Sequence, residues 1–435
     1  MPRQSTIPVV DINSSAGKRI LKRIKAGREK RNEEITRTVS SVLEDIRLKG
    51  DKALFEYTAR FDKVSLTPAK VKIDPATLRE TGKKAPAELK RSIREAAKRI
   101  EAFHKKQGLR NFNYRSSEGL LQQIIKPLNR VGVYIPGGYT VYPSTVLMDV
   151  IPAKLAKVKE IVAVTPPREE LDPAIAYALH YLKVDEVYRV GGAQAIAALA
   201  YGTKTIAPVD KIVGPGNAYV ATAKRLVYGN VDIDSVAGPS EVVIVADSSA
   251  DPVLVASDLL AQAEHGTGDE TAVCIVENMK VAQRIVKATE SEIEDSPVRK
   301  TLEKLPSHAI SVFVTSSRKE SMLLSDSIAP EHLQIMTSTA EKDLKLVSNA
   351  SAVFLGMQTP VALGDYFIGT NHVLPTGGAA RFASPLGVES FQKRISVAQV
   401  SRRGIQNAAE HAPRLARAES FVHHAMSVEK RAERG

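Results

Sequence analysis

At 435 residues the chain exceeds one ordinary core and leaves room for two. With 43% hydrophobic and 25% charged residues it has an average globular composition, which excludes a disordered or fibrous protein. One cysteine, Cys274, excludes an internal disulfide and any cysteine-built zinc or iron–sulfur centre; it fits a reducing compartment, so a cytoplasmic location is expected.

The formal net charge of +12 raises the question of a nucleic-acid partner, and eight of the fourteen residues from Lys18 to Arg31 are Lys or Arg. Ile20, Leu21 and Ile24 fall at helical spacing inside that run, so it reads as a solvated amphipathic helix. No RNA-binding aromatic motif or helix-turn-helix accompanies it. We therefore expect no nucleic-acid partner and take 1–27 as an N-terminal helical extension. The N-terminus lacks the apolar run of a secretory leader, and the apolar stretch from Val141 to Val158 is broken by Asp149, Pro152, Lys154 and Lys157. No membrane association is expected.

From Asn32 to Lys106 apolar residues recur three and four apart, as in Val39, Val42, Leu43 and Ile46, which predicts helices. Beyond Arg130 short β-rich runs alternate with helical ones: Val131–Ile135, Ile161–Val164, Glu186–Val190 and Lys211–Val213. That alternation predicts βαβ units and a parallel sheet. The runs Val242–Val245, Ala272–Val276, Ile310–Val314 and Ala352–Leu355 predict a second. The fold class expected is α/β, with two Rossmann-like parallel-sheet domains, one inserted in the other, and helical N-terminal and C-terminal extensions. Gly238-Pro239 marks the end of the inserted domain. Residues 28–130 and 240–386 then form the discontinuous outer domain and 131–239 the insert. The stretch 387–435 is polar and helical, too poor in apolar residues for its own core, and should dock elsewhere.

Three glycine turns end strands of the insert: Pro136-Gly137-Gly138, Gly191-Gly192-Ala193-Gln194 and Gly214-Pro215-Gly216-Asn217. None completes G-x-G-x-x-G, and each alone is an ordinary strand-to-helix turn. Three at one end of a parallel sheet favour a nucleotide-like ligand. Asp251–Glu264 reads as a helix that sets Gln262 and His265 on one face. That spacing suits either two metal donors or, preferred on spacing alone, a histidine at the helix C-terminus. Glu331-His332 follows Pro330; adjacent side chains converge only from an irregular loop, where they would form an acid–base pair, and otherwise are unrelated surface polars. Gly364-Asp365-Tyr366 and the loop Thr370–Gly378 are dense in potential ligands.

From about Arg130 to Ser427 the chain resembles the histidinol dehydrogenase family. The blocks that carry the resemblance, in the family order, are Val-Gly-Gly-Ala-Gln-Ala-Ile-Ala-Ala-Leu-Ala-Tyr-Gly-Thr (190–203), Lys-Ile-Val-Gly-Pro-Gly-Asn (211–217), Ala-Gly-Pro-Ser-Glu (237–241), Gln-Ala-Glu-His (262–265), Ile-Ala-Pro-Glu-His-Leu (328–333) and Gly-Asp-Tyr…Asn-His-Val-Leu-Pro-Thr (364–376). The resemblance implies a zinc- and NAD-dependent oxidation of an amino alcohol, L-histidinol, to the amino acid by two hydride transfers through an aldehyde. It implies that His332 is the base and that Glu331 activates water. It places one zinc per subunit on Gln262, His265, Asp365 and His424, NAD on Tyr134, Gln194 and Asn217, and substrate on those four zinc positions with Ser144, Ser240, His332, His372 and Glu419. His424 and Glu419 would come from the partner of an intertwined homodimer, which accounts for a tail with no core of its own. The 131–239 insert would bind NAD, and the outer domain would carry the metal and catalytic residues. Cys274, in an apolar run, is poorly placed for a thioester route. Where the family has a glutamate this chain has Val361, four residues before Asp365; that leaves a second substrate reading open, another small alcohol such as a sulfonated diol.

Overall fold

The computed structural model describes residues 7–27, 33–137, 141–236, 238–265 and 270–434. The end of the basic run (28–31), Gly138, Ala237 and Gly266 lie outside them. Two six-stranded sheets and one three-stranded sheet form its frame.

The first sheet is parallel throughout, in the order Val9–Asp11, Ile310–Val314, Thr271–Val276, Glu241–Ala246, His332–Met336, Ala352–Leu355. Its central strand, Glu-Val-Val-Ile-Val-Ala, is buried at every position, as expected of a parallel sheet covered on both faces. Val242, Ile244 and Ala246 point into one layer with Val255 and Leu259 of the helix Pro252–Ala263 and Ile285 of Met279–Asp295. Val243 and Val245 point into the other, with Met322 and Ile328 of Arg318–Ile328 and Ile24 of Ser15–Gly27. Each fully buried Val, Leu, Ile or Met among these contributes about 1.5–3 kcal/mol.

The second sheet runs Lys72–Ile73, Glu186–Tyr188, Glu160–Val164, Arg130–Tyr134, Lys211–Val213, Asp232–Ile233, with only the Lys72–Ile73 edge antiparallel. Here the structure departs from the expected division. The helices between residues 33 and 104 clad this sheet, not the first: Val39, Val42, Leu43 and Ile46 pack with Val162, Val164 and Ile212, and Ile93, Ala97 and Ile100 pack with Val131, Val133 and Ile161. Ile73, among those helices, pairs with Val187. Residues 7–27 are no mere extension, because Val9–Asp11 is an edge strand of the first sheet. One unit is still nested in the other, but the inner one spans 33–234 and the outer one 7–27 with 241–355. Amphipathic helices go where an uncovered apolar sheet face remains, and sequence proximity does not decide which sheet that is.

The tail also departs from a helical expectation. Gln392–Val400 is a strand antiparallel to Gly119–Pro127, which pairs in turn with Phe112–Ser116. Helices Arg402–Ala418 and Val422–Arg434 follow, held to each other by a two-pronged Arg417–Glu429 pair at 2.6 and 2.9 Å. Among the described residues no helix is long and apolar enough to cross a membrane.

A charged cluster lies buried in the second unit. Lys224 is paired with Asp234 and donates to the Gly214 carbonyl at 2.9 Å, while Asp149 has no hydrogen-bond partner for either oxygen among the described residues. Burial, and then the charge of Asp234, push the Asp149 carboxyl well above its usual range against the pull of Lys224. The fold thus favours the neutral acid, whereas the unfolded chain ionises it near pH 4. Wild-type stability falls as pH rises above that value, and an amide at this position escapes the loss. Asp149→Asn should be more stable than wild type at pH 8, by on the order of 1–3 kcal/mol. The gain should shrink toward pH 5, as read from urea midpoints; a variant less stable at pH 8 would mean the carboxylate is ionised against Lys224.

Candidate functional site

In the second sheet the chain moves from Arg130–Tyr134 outward in one direction, and from Lys211–Val213 in the other. Between these neighbouring strands lies the point where strand order reverses, and the loops beyond their carboxyl ends part to leave a crevice for ligands. Gly214 makes the approach possible. Its φ is +109°, and a Cβ there would lie 2.2 Å from the Tyr134 carbonyl oxygen. Its N–H donates to the Asp234 carboxylate at 2.8 Å and its carbonyl accepts from Lys224, so the peptide is held from both sides.

The three positions expected to hold a dinucleotide lie at or beyond the carboxyl ends of strands at this end: Tyr134 closes its strand, and Gln194 and Asn217 follow theirs. The Tyr134 hydroxyl accepts from the Gly192 N–H at 3.1 Å. Gln194, buried in the first turn of Gly192–Tyr201, donates to Asp62 at 3.1 Å. Asn217 caps Ala218–Val227, accepting from the N–H groups of Tyr219 and Val220 at 3.1 and 3.2 Å.

The expected acid–base residues, Glu331 and His332, sit at the amino end of the first sheet. Glu331-His332 is not an irregular loop: His332 opens a strand paired with Val242 and Ala352. The side chains converge because the Glu331 carboxylate accepts from the Glu241 N–H at 3.1 Å, which brings it to 3.8 Å from His332 Nδ1. On its other side His332 Nε2 faces Asp365 at 3.7 Å. Both distances are short enough for strong charge coupling and too long for a hydrogen bond, so both ring nitrogens are buried and unbonded among the described residues. Burial pushes the Glu331 carboxyl up to about 7, although the His332 charge pulls the other way. Burial also opposes a charge on His332, but the facing Glu331 and Asp365 carboxylates outweigh it and hold the imidazole above its usual range. Asp365 is held below its own, burial being outweighed by His332 and then by His372 and His265.

The other expected site residues divide into two groups. Gln262 ends the helix Pro252–Ala263, its amide 3.3 Å from His265 Nδ1. His372, lowered by burial, hydrogen-bonds through Nδ1 to the Asp365 carbonyl at 2.9 Å. Ser240 immediately precedes the strand that carries Glu241. Ser144 begins the helix Pro143–Leu155, and the preceding Tyr142 approaches Tyr366, whose hydroxyl is raised by burial and by Asp365, Glu264 and Tyr142. The carboxyl end of one sheet therefore faces the amino end of the other. In contrast, Glu419 and His424 are exposed on the tail hairpin, His424 with its ring 5.0 Å from Phe421. Among the described residues no three His, Cys, Asp or Glu side chains of one chain form a metal cluster. Gln262, His265 and Asp365 are an amide, an imidazole and a carboxylate, a nitrogen and oxygen set suited to zinc but one protein donor short of four.

The loop Thr370–Gly378 ties the two units as well as supplying His372. Asn371 donates to the Met148 carbonyl at 2.8 Å, and Ser351 donates to Pro375 at 2.6 Å. Sequence reasoning missed Asp62 and the Lys224–Asp234 clamp. Lys224 left a trace: it stands on the buried side of its helix beside Ala223, four residues after Val220. Asp62 left none, since its partner lies 132 positions away.

The histidinol dehydrogenase family model matches residues 25–432 of the chain. The chain belongs to the histidinol dehydrogenase family. The match reaches well before Arg130, into the helical section that the quoted blocks did not cover. The histidinol dehydrogenase of Bacillus cereus is 44% identical over 424 residues, covering 95% of this chain and 97% of its own. That of Bacillus subtilis strain 168 is 42% identical over 411 residues, covering 92% and 94%. The crystal structure of histidinol dehydrogenase from Elizabethkingia anophelis, 34% identical, superposes over 99% of both chains with a TM-score of 0.91. The chain is thus a dehydrogenase with the family's α/β fold.

Gly214→Ala should lose several kcal/mol, since a methyl would collide with a carbonyl in a backbone region that L-residues avoid. Urea denaturation checks this; a change below about 1 kcal/mol would show that the two loops part readily.

Proposed function

We propose that the protein oxidises L-histidinol to L-histidine through L-histidinal, with two NAD molecules and one zinc per subunit, in cytoplasmic histidine biosynthesis. The observation that carries this reading is the line Glu331–His332–Asp365, a buried imidazole flanked by carboxylates at 3.8 and 3.7 Å. With both ring nitrogens unbonded, His332 has a lone pair free to take the proton of an alcohol or of an aldehyde hydrate. Glu331, pushed up to about 7, is balanced between acid and base near neutral pH and is the group to activate water. Gln262, His265 and Asp365 would hold the zinc together with His424 of a second subunit. Ser144, Ser240, His372 and the second subunit's Glu419 would complete the substrate pocket, and Tyr134, Gln194 and Asn217 would hold NAD. Zinc supplies fixed points for the substrate's amino and hydroxyl groups, and NAD takes up the hydride. Water, not a thiol, attacks the aldehyde, because Cys274 is fully buried in a strand and its thiol is pushed up to about 12.

An assembly of two chains is supported by apolar surface on the three-stranded sheet and tail. Phe112, Tyr114, Leu121, Val400, Leu415 and Phe421 are all exposed in the single chain. A second chain would cover them while bringing His424 to the zinc set.

Val361 favours a second reading. It is buried in the apolar layer with Phe354, so it offers no charge to an ammonium where a glutamate would. The enzyme would then act on another small alcohol, such as a sulfonated diol. Zinc-loaded protein should give NADH from L-histidinol with kcat/KM of about 10⁴ M⁻¹s⁻¹ or more. His332→Gln should lower kcat by about 10²–10⁴-fold. Turnover far below that value, with a sulfonated diol preferred, would support the second reading, and an unchanged His332→Gln variant would remove the base assignment. For the shared tail, mixing inactive His424→Ala chains with inactive His332→Gln chains should restore part of the activity. None restored after proven subunit exchange would exclude a shared site.

A further inference from the structure

Beside Gln194, in the turn after Glu186–Tyr188, and within electrostatic reach of Tyr134 lies a carboxylate outside the expected site, Asp62. Asp62 ends the helix Asp51–Asp62, and the next residue, Lys63, turns the chain away with φ +59°. Asp62 is half-buried and, among the described residues, forms no ion pair; its recorded bond is the 3.1 Å contact from the Gln194 amide. The other end of that amide, Gln194 Oε1, is fully buried and accepts no hydrogen bond among the described residues. Gln194 itself is 1% exposed. The Tyr134 hydroxyl, on Gly192, is near enough to feel the charge of Asp62.

A carboxylate and an orphaned amide oxygen side by side are acceptors that require donors from a ligand. Leaving such a buried acceptor unmet costs free energy, so the missing partner belongs to the bound state. A vicinal diol supplies two O–H donors, whereas a phosphate monoester on that diol would set anionic oxygens against Asp62. Acidic side chains in crevices of this kind meet ribose diols for the same reason.

We propose that Asp62 contacts a ribose diol of the coenzyme and sets selectivity for NAD over its 2′-phosphorylated form, NADP. The proposal rests on the reading of this crevice as the NAD site. The amide of Gln194 aligns the carboxylate through one oxygen and leaves the other for the ligand. Burial pushes the Asp62 carboxyl up to about 6, which strengthens its demand for a donor once water is displaced.

The test is calorimetric titration of the full-length protein with NAD and with NADP, which needs no turnover and no identified alcohol. Wild type should bind NAD in preference to NADP. Asp62→Asn and Asp62→Ser, checked for folding by Tm, should narrow that preference about tenfold or more, NAD weakening while NADP holds or improves. Equal weakening of both coenzymes, or an unchanged ratio in the folded variants, would overturn the proposal and leave the NAD site standing. Wild type that binds neither coenzyme would remove the NAD reading and this inference together.

Discussion

Strands buried along their whole length, such as Glu241–Ala246, leave neither face of their sheet to water. Each parallel sheet must then be clad by helices on both sides and can meet a ligand only at its ends. This constraint organises the molecule. It draws the helices between residues 33 and 104 onto the second sheet, and it leaves polar residues at the facing ends of the two sheets. Tyr134 and Gly214 stand at the carboxyl ends of one sheet, and Glu241 and His332 at the amino ends of the other. The loop Thr370–Gly378 spans the gap with hydrogen bonds to both units.

The Glu331–His332 pair shows how an ordered strand can bring two titratable groups together. A strand normally sends adjacent side chains to opposite faces. Here Glu331 stands just outside the ladder, and the Glu241 N–H, the first of the neighbouring strand, draws its carboxylate back toward the ring. A sheet end is rigid where a loop is not, so the separation of the two groups is set by backbone pairing.

Legibility in the sequence followed apolar continuity. Runs such as Val242–Val245 and Ala352–Leu355 were readable because no polar residue interrupts them, whereas His332–Met336 hid behind His332 and Gln334. Gln392–Val400 has no buried face, so it lacks the alternation that betrays a strand, and Val9–Asp11 is too short to carry any pattern. In the candidate site, helical spacing put Gln262 and His265 on one face without separating two metal donors from a helix-capping histidine, and Asp365 and His372 stood out only by the polar density of their segments. The family resemblance supplied their roles. The Asp62–Gln194 contact was beyond reach, since it depends on which sheet the early helices cover.

The nesting of one unit within the other also orders events during synthesis. Val9–Asp11 pairs with Val312–Val314, so the first strand made must wait for roughly 300 further residues before its neighbour exists. Every strand of the inner sheet is complete by Ile233, before the first strand of the outer sheet's centre has emerged. The inner sheet can therefore pair while the outer one is still an unpaired edge and a tethered helix, but one layer of the inner core waits for Val373, Leu386, Val388 and Phe391. The short length of that first strand, three residues ending in Asp11, limits what a waiting edge can recruit in the meantime.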